Sequence, residues 1–256
     1  MKVLMLSKDA SILRPESEAR ERMLALSTIV ERLHVVVLTT RERKNDAVQG
    51  VYQEAVPRIR VDRRLVIHPT NSTTKLSSLV DAWRIGRELL PPRESRGNKG
   101  WLVTVQDPFE TGFVGWLLSM RRSVALELQI HTDIGSPFFK KESLKNILRT
   151  SIARFLLVRA KGVRVVSARV AGSTSKVLGR IPETLPVFVD AALLRASPPK
   201  MDLHKKFPQF DFLVLAVSRL SKEKDIGTAL RAIGEMAKKY PKTGLLIIGD
   251  GPERKK

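Results

Sequence analysis

Short apolar runs alternate with longer amphipathic stretches along this chain, and that alternation restricts the fold more than any other feature. Val3-Leu4-Met5-Leu6, Val35-Val36-Val37-Leu38-Thr39-Thr40, Trp101-Leu102-Val103-Thr104-Val105 and residues 124–128 read as buried strands. Helical runs over residues 15–32, up to about residue 90, over 110–120 and from 140 onward separate them. A further strand is expected over residues 59–67, with Pro69-Thr70-Asn71-Ser72 as turn and N-cap before the next helix. A loop over 91–100, a strand over 162–166, a helix capped by Ser167 and a strand over 185–189 follow. Strands and helices in this order predict an α/β fold, a Rossmann-like parallel sheet with helices on both faces.

After Asp190 the texture changes. Residues 191–210 contain Pro198-Pro199 and Pro208 and read as a linker. The pattern then restarts, with a strand over 212–217, a helix over 224–240 and a strand over 244–248. A single βαβ unit leaves sheet edges and a face uncovered, too little for an independent domain. The expected division is an N-terminal Rossmann-like domain over 1–190, a crossover over 191–210, and the first βαβ of a second Rossmann-like domain over 211–256.

Composition narrows the function classes. The 256 residues are 43% hydrophobic, which excludes a disordered basic tail. There is no cysteine, so disulfide frameworks, thiolate zinc sites and cysteine nucleophiles are excluded together. No apolar stretch reaches the roughly 18–20 residues needed to cross a bilayer. The opening residues are charged too early for a signal peptide, so an intracellular protein is expected.

Every part of the chain is basic, but half of the net charge of +20 lies in one place: residues 140–180 hold eleven Lys and Arg and one acid, Glu142. Lys140, Lys141, Lys145 and Arg149 fall there, the last three at i+4 spacing, among Leu144, Ile147, Leu148, Ile152 and Phe155. This pattern predicts one amphipathic helix with a basic edge. Its apolar stripe can pack on the protein's own core, or the basic edge can dock on anionic lipid headgroups. Nucleic-acid binding is the third option, but aromatics make up only 5% of the chain and no aromatic–basic strand offers base stacking.

Four loops can carry chemistry, each placed just past a strand. Val217-Ser218-Arg219-Leu220-Ser221-Lys222-Glu223-Lys224 joins a strand to a helix N-terminus, where unpaired N–H groups and the helix dipole favour anions. Arg219 and Lys224 add a forked guanidinium and a point charge, which suits a diphosphate; a solvated basic loop is the plainer alternative. His131 closes the strand Leu126-Glu127-Leu128-Gln129-Ile130-His131, followed by Thr132 and Asp133. At the carboxyl end of a strand it can polarise or orient a hydroxyl, or simply make a local hydrogen bond. Asp107 sits where it caps the next helix, which accounts for it without any ligand. Gly249-Asp250-Gly251-Pro252-Glu253-Arg254 follows the last strand and is a turn or a place where backbone meets a ligand. No Gly-x-Gly-x-x-Gly follows the first strand, and His34, His68 and His204 lack metal-ligand spacing.

Together these residues resemble the GT-B fold glycosyltransferases, in particular the large retaining family 4. Ser218-Arg219-Leu220-Ser221-Lys222-Glu223-Lys224-Asp225 resembles that family's G-R-L-x-x-E-K-G segment, and Gly249-Asp250-Gly251-Pro252-Glu253-Arg254 its G-D-G-P-E-R turn. Val165-Val166-Ser167-Ala168-Arg169-Val170 resembles its V-V-S-x-x-V segment. Pro186-Val187-Phe188-Val189-Asp190 looks like its P-N-G-V-D segment without the Asn-Gly pair.

The resemblance implies transfer of a sugar from a nucleotide-sugar donor to a cell-envelope acceptor, lipid-linked or polysaccharide, with retention. Arg219 and Lys224 would hold the donor diphosphate, and His131 would contact the transferred sugar or acceptor, in the cleft between two domains. Asp107, Asp133, Gly249 and Gly251 are candidate substrate-loop residues. No metal or other cofactor is expected, nor nucleic acid; an anionic membrane surface on the inner face of the cell membrane is. Asp225 replaces the family's glycine, and the family's two glutamates seven residues apart do not occur, so a truncated and inactive chain is expected. The alternative is a non-catalytic membrane-docking module built on the first domain.

Overall fold

A computed structural model describes residues 1–41, 58–93, 100–189, 191–199 and 201–254. The chain forms two compact units, Met1–Val187 and Phe188–Lys256.

The first unit is built on an eight-stranded sheet. Its strands are β1 (Lys2–Ser7), β2 (Arg32–Val37), β3 (Ile59–Arg60), β4 (Leu65–Pro69), β5 (Trp101–Val105), β6 (Ala125–Ile130), β7 (Gly162–Val165) and β8 (Glu183–Thr184). They lie in the order β3-β4-β2-β1-β5-β6-β7-β8, every pair parallel except β3 with β4. The strand order runs outward from β1 in both directions, so the loops after β1 and β5 flank the switch point where ligands sit in such sheets.

Two-residue alternation divides the core between the sheet faces. Leu4 and Leu6 of β1 join Val103, Val105, Leu126, Leu128 and Ile130 on one face. There they meet helices α2 (Lys75–Leu89), α3 (Glu110–Arg122), α5 (Leu144–Leu157) and α6 (Ala168–Leu178). Val3 and Met5 point the other way, with Leu33, Val35, Val37, Leu65 and Ile67, and are covered by a 3-10 turn (Ala10–Leu13) and α1 (Glu18–Thr28).

The mainly parallel α/β architecture expected from the sequence is present, with local departures. The strand expected over 59–67 is a hairpin: Asp62 Oδ1 accepts from both Arg64 N and Leu65 N at 2.6 Å and turns the chain between β3 and β4. Helix α2 is capped by Thr74, in a capping box with Ser77, and not within 69–72. Ser72 is buried and donates instead to Asp81 Oδ2 at 2.6 Å. The strand expected over 185–189 does not form. Pairing with β7 goes no further than Leu185 N, which donates to Val165 O; Pro186 then sits with its N–H-less side on the open edge of the sheet. Asp190 and most of the 91–100 loop lie outside the described residues.

The single basic helix is two helices. α4 (Pro137–Glu142) and α5 are separated by Ser143, whose extended backbone (φ −164°, ψ 154°) breaks the helix and whose hydroxyl caps α5 by accepting from Asn146 N. Lys140 and Lys141 therefore belong to α4, and Lys145 and Arg149 to α5.

One buried polar pair sets a pH response. His34 on β2 and His68 on β4 are 8% and 6% exposed, and His34 Nδ1 lies 3.0 Å from His68 Nε2. Trp101 stacks on His34. Burial above all, then the nearby Arg32 and Arg58 charges, lowers His34 to about 4. Burial, His34 and Arg58 do the same to His68. Between pH 6.5 and 4 the unfolded chain binds more protons here than the folded one, so stability is complete above that window and falls as pH drops through it. The expected slope is up to about 1.4 kcal/mol per pH unit for each histidine. Urea midpoints measured at pH 7 and pH 5 should differ in that direction for the native chain, and much less for His34→Gln/His68→Gln. Equal native midpoints would refute the assignment.

The second unit contains helices α7 (Ala191–Ala196) and α8 (Leu203–Lys206), then β9 (Phe212–Val217), α9 (Ile226–Lys239) and β10 (Thr243–Ile248). β9 and β10 pair in parallel in register Phe212↔Thr243 to Val217↔Ile248. Helix α9 starts two residues later than expected. Lys222–Lys224 forms a 3-10 turn, and Asp225, left-handed at φ 45°, separates it from the helix.

Candidate functional site

Both units place their polar loops at the carboxyl ends of parallel strands. In the first unit the ends of β1, β5 and β6 bring together Ser7, Lys8, Gln106, Asp107, Glu110 and His131. Lys8 Nζ lies 3.2 Å from Asp107 Oδ2 and 3.1 Å from Glu110 Oε2. The Arg149 guanidinium of α5 reaches Glu110 Oε1 through Nε and Nη2, both at 2.8 Å, and lies over the Phe109 ring. Burial opposes ionisation of Glu110, but the Arg149 hydrogen bond, its own backbone N–H and Lys8 lower the carboxyl to about 2. The result is a fixed chain of alternating charges from β1 through the start of α3 to α5.

Asp107 does serve the helix start, though not from the N-cap position, which Phe109 occupies. Its Oδ1 accepts from Phe109 N at 2.9 Å and its Oδ2 from the Thr111 hydroxyl. Asp133 is engaged too, accepting from Gly135 N at 3.1 Å and pairing with Arg169 Nε at 3.4 Å. Both aspartates hold loops in shape, and Asp107 also meets Lys8.

His131 is the first residue past β6, which ends at Ile130. Its ring reaches solvent and makes no hydrogen bond among the described residues. Partial burial and the Arg164 charge lower its pKa, with Asp107 opposing them, so the imidazole is neutral at pH 7 and has a lone pair to offer. Arg164 is held by Gln129 Oε1 at 3.0 Å, and Gln129 Nε2 donates in turn to Thr104 Oγ1 at 2.9 Å. Sequence reasoning singled out neither Lys8, Glu110 nor Arg164. Lys8 and Glu110 were findable, since one follows the first strand and the other opens a helix.

In the second unit two loops close on one another. Ser218 N donates to Ile248 O, Leu220 N to Asp250 O at 2.9 Å, and Glu253 N to Leu220 O. Glycine is required at both crossings, because a Cβ at Gly249 would lie 1.8 Å from Ser218 O and one at Gly251 2.2 Å from Leu220 O. Gly249 and Gly251 are thus explained by backbone packing. Arg219 and Lys224 are exposed on this double loop. Arg219 Nη2 pairs with Glu223 Oε1 at 2.8 Å. Glu223 is lowered to about 2 by the neighbouring Ser221 hydroxyl (short of a well-formed hydrogen bond), its own backbone N–H and Arg219, against slight desolvation. Ser218 Oγ is buried with no hydrogen-bond partner among the described residues.

Asp225 adopts the left-handed backbone that glycine takes without steric cost, and its Oδ2 accepts from Thr228 Oγ1 at 2.7 Å. The aspartate therefore keeps the turn that a glycine would make. A cavity of about 540 Å³ lined by Phe212, Met236, Tyr240 and Pro241 lies at the opposite ends of β9 and β10, away from these charges. Among the described residues no group of three or more His, Asp or Glu could hold a metal ion.

No family model matches the chain. It is 30% identical over 125 residues to a 2-deoxystreptamine glucosyltransferase of Streptomyces kanamyceticus, covering 46% of this chain and 32% of that protein. It is 43% identical over 44 residues to an alpha-monoglucosyldiacylglycerol synthase of Acholeplasma laidlawii, covering 17% of this chain and 11% of that protein. The matches thus span a third or less of these relatives. Its fold is similar to the apo structure of OtsA, with a TM-score of 0.56 at 12% identity, covering 97% of this chain and 65% of that one. The sequence relatives are glucosyl-handling proteins, and the structural likeness establishes the α/β fold.

Proposed function

We propose that this chain transfers a sugar from a nucleotide-sugar donor to a cell-envelope acceptor, lipid-linked or polysaccharide, with retention at the anomeric carbon. The observation that carries the reading is the double loop of the second unit. Two strand ends lock together through glycine crossings and leave Arg219 exposed on the crossed loop, with Lys224 exposed five residues on at the end of the following 3-10 turn. Breaking the bond between the anomeric carbon and the diphosphate oxygen leaves growing negative charge on the leaving group, which these two cations neutralise. No metal ion is part of the proposal.

In the first unit, neutral His131 makes no hydrogen bond among the described residues and takes the role of contact to the transferred sugar or the acceptor hydroxyl. The Lys8–Glu110–Arg149 chain holds the loop after β5 in place. The glucosyl-handling relatives support the reaction class. No helix among the described residues is long and apolar enough to cross a membrane. Work at the inner face of the membrane is assigned to peripheral docking of the first unit through the basic helices α4 and α5.

A second reading, a docking module without catalysis, is favoured by the exposed apolar face described below. Titration calorimetry of the full chain against UDP-, GDP-, ADP- and dTDP-sugars separates the two. Saturable binding of one donor is expected, weakened in Arg219→Ala and retained in His131→Ala. If no donor binds while the chain still sediments with vesicles, the docking module is the correct reading.

A further inference from the structure

Most of the α5 stripe that sequence periodicity offered to the core points to solvent; of its members only Ile152 packs against the core. Leu144 is 86% and Leu148 62% exposed, and Ile147, Phe155 and Val158 are exposed beside them. The core side is made by Asn146, Thr150, Ala153, Leu156 and Leu157. At about 100° per residue the two sets lie about 180° apart on the helix. Phe138 is likewise exposed on α4, the helix that precedes the Ser143 break.

Cations flank this ridge. Lys141, Lys145 and Arg154 are exposed and Lys140 is half-buried. Arg149 leaves the expected docking set because Glu110 takes it. The one acid in residues 140–180, Glu142, accepts from Asn146 Nδ2 at 3.0 Å.

We propose that the α4–α5 face docks on an anionic lipid bilayer by burying Leu144, Ile147, Leu148 and Phe138 among the acyl chains. Lys140, Lys141, Lys145 and Arg154 then meet the headgroups. The proposal rests on the membrane-surface reading of the function and specifies its mode, apolar insertion reinforced by charge. Charge complementarity selects the occupant. A second copy of this chain would bring the same cations against themselves around the ridge, whereas an anionic bilayer offers hydrocarbon and opposite charge together.

The test is cosedimentation of the full chain with vesicles of phosphatidylcholine mixed with phosphatidylglycerol, at low and high salt. Native chain should bind at low salt and retain part of its binding at high salt. Leu144→Ser/Leu148→Ser should lose about tenfold or more in affinity at both, since each leucine's burial is forfeited. Lys141→Gln/Lys145→Gln should lose about fivefold per charge at low salt and little at high salt. Both variants should keep the native circular dichroism, because the altered side chains touch no core.

Unchanged binding by the leucine variant would overturn the proposal. So would a native dimer that the leucine variant converts to monomer. Donor titration of the same variants separates the two inferences. Lost vesicle binding with retained donor binding confines the change to docking, whereas absent donor binding in the native chain removes the functional reading and leaves docking standing.

Discussion

Arg219→Ala should weaken binding of UDP by about 10- to 100-fold. A hydrogen bond from a charged donor contributes about 1.5–3 kcal/mol, and about 1.4 kcal/mol is a factor of ten. Two features of the second unit set the size. The guanidinium is already oriented, since Glu223 holds Nη2 at 2.8 Å, so little freedom is lost when a diphosphate arrives. Its removal also leaves the ionised Glu223 carboxylate unneutralised beside the incoming phosphates. Arg219→Lys should recover only part of the loss, because an ammonium lacks the planar fork. Lys224→Ala should cost less and depend more steeply on salt, as for an exposed point charge. Titration calorimetry with UDP at two ionic strengths checks this order. Equal affinities for native chain and Arg219→Ala would remove Arg219 from the site.

The second large effect concerns stability. Leu128→Ala should destabilise the first unit by about 2–5 kcal/mol, while Leu144→Ala should fall within about 0.5 kcal/mol. Leu128 is fully buried on β6, in the cluster that joins the sheet to α3 and α5, and truncation leaves a cavity that close packing cannot refill. At roughly 2–4 °C per kcal/mol for a unit of this size, the melting temperature should drop by about 4–20 °C. Because β6 ends one residue before His131, the same substitution should also loosen that histidine. Differential scanning calorimetry of the two variants is the measurement, and a Leu144→Ala midpoint as low as that of Leu128→Ala would contradict the assigned faces.

Those two leucines show how far the sequence is legible. Both stand in apolar patterns with the period of their element, and nothing local separates the one that is buried from the one that is not. The strands were legible because a central parallel strand is covered on both faces and its residues must be apolar in succession, as in β1, β2 and β5. Strand ends were legible as sites for a related reason: a sheet of this kind leaves its polar loops at one edge, which places Asp107, His131, Arg219 and Gly249 just past strands. The break at Ser143 and the hairpin at Asp62 were harder to see. Each depends on one side chain satisfying nearby backbone N–H groups in competition with the regular ladder.

The sequence by itself determined the α/β class, the restart of the pattern after residue 210, the glycines of the loop after the last strand and the excess of cations between residues 140 and 180. Each of these is set by local periodicity, by the absence of a side chain or by composition. Tertiary structure alone decided how the cations are used. It brought Glu110 to Arg149, 39 residues away, and Lys8 to Asp107, 99 residues away, because both pairs meet only once β1, β5 and α5 are packed side by side. It also turned Leu144 and Leu148 outward, since Ala153, Leu156 and Leu157 fill the space against the sheet. A helix has one face to give its own core, and which face that is depends on the shape of the neighbours it must fit.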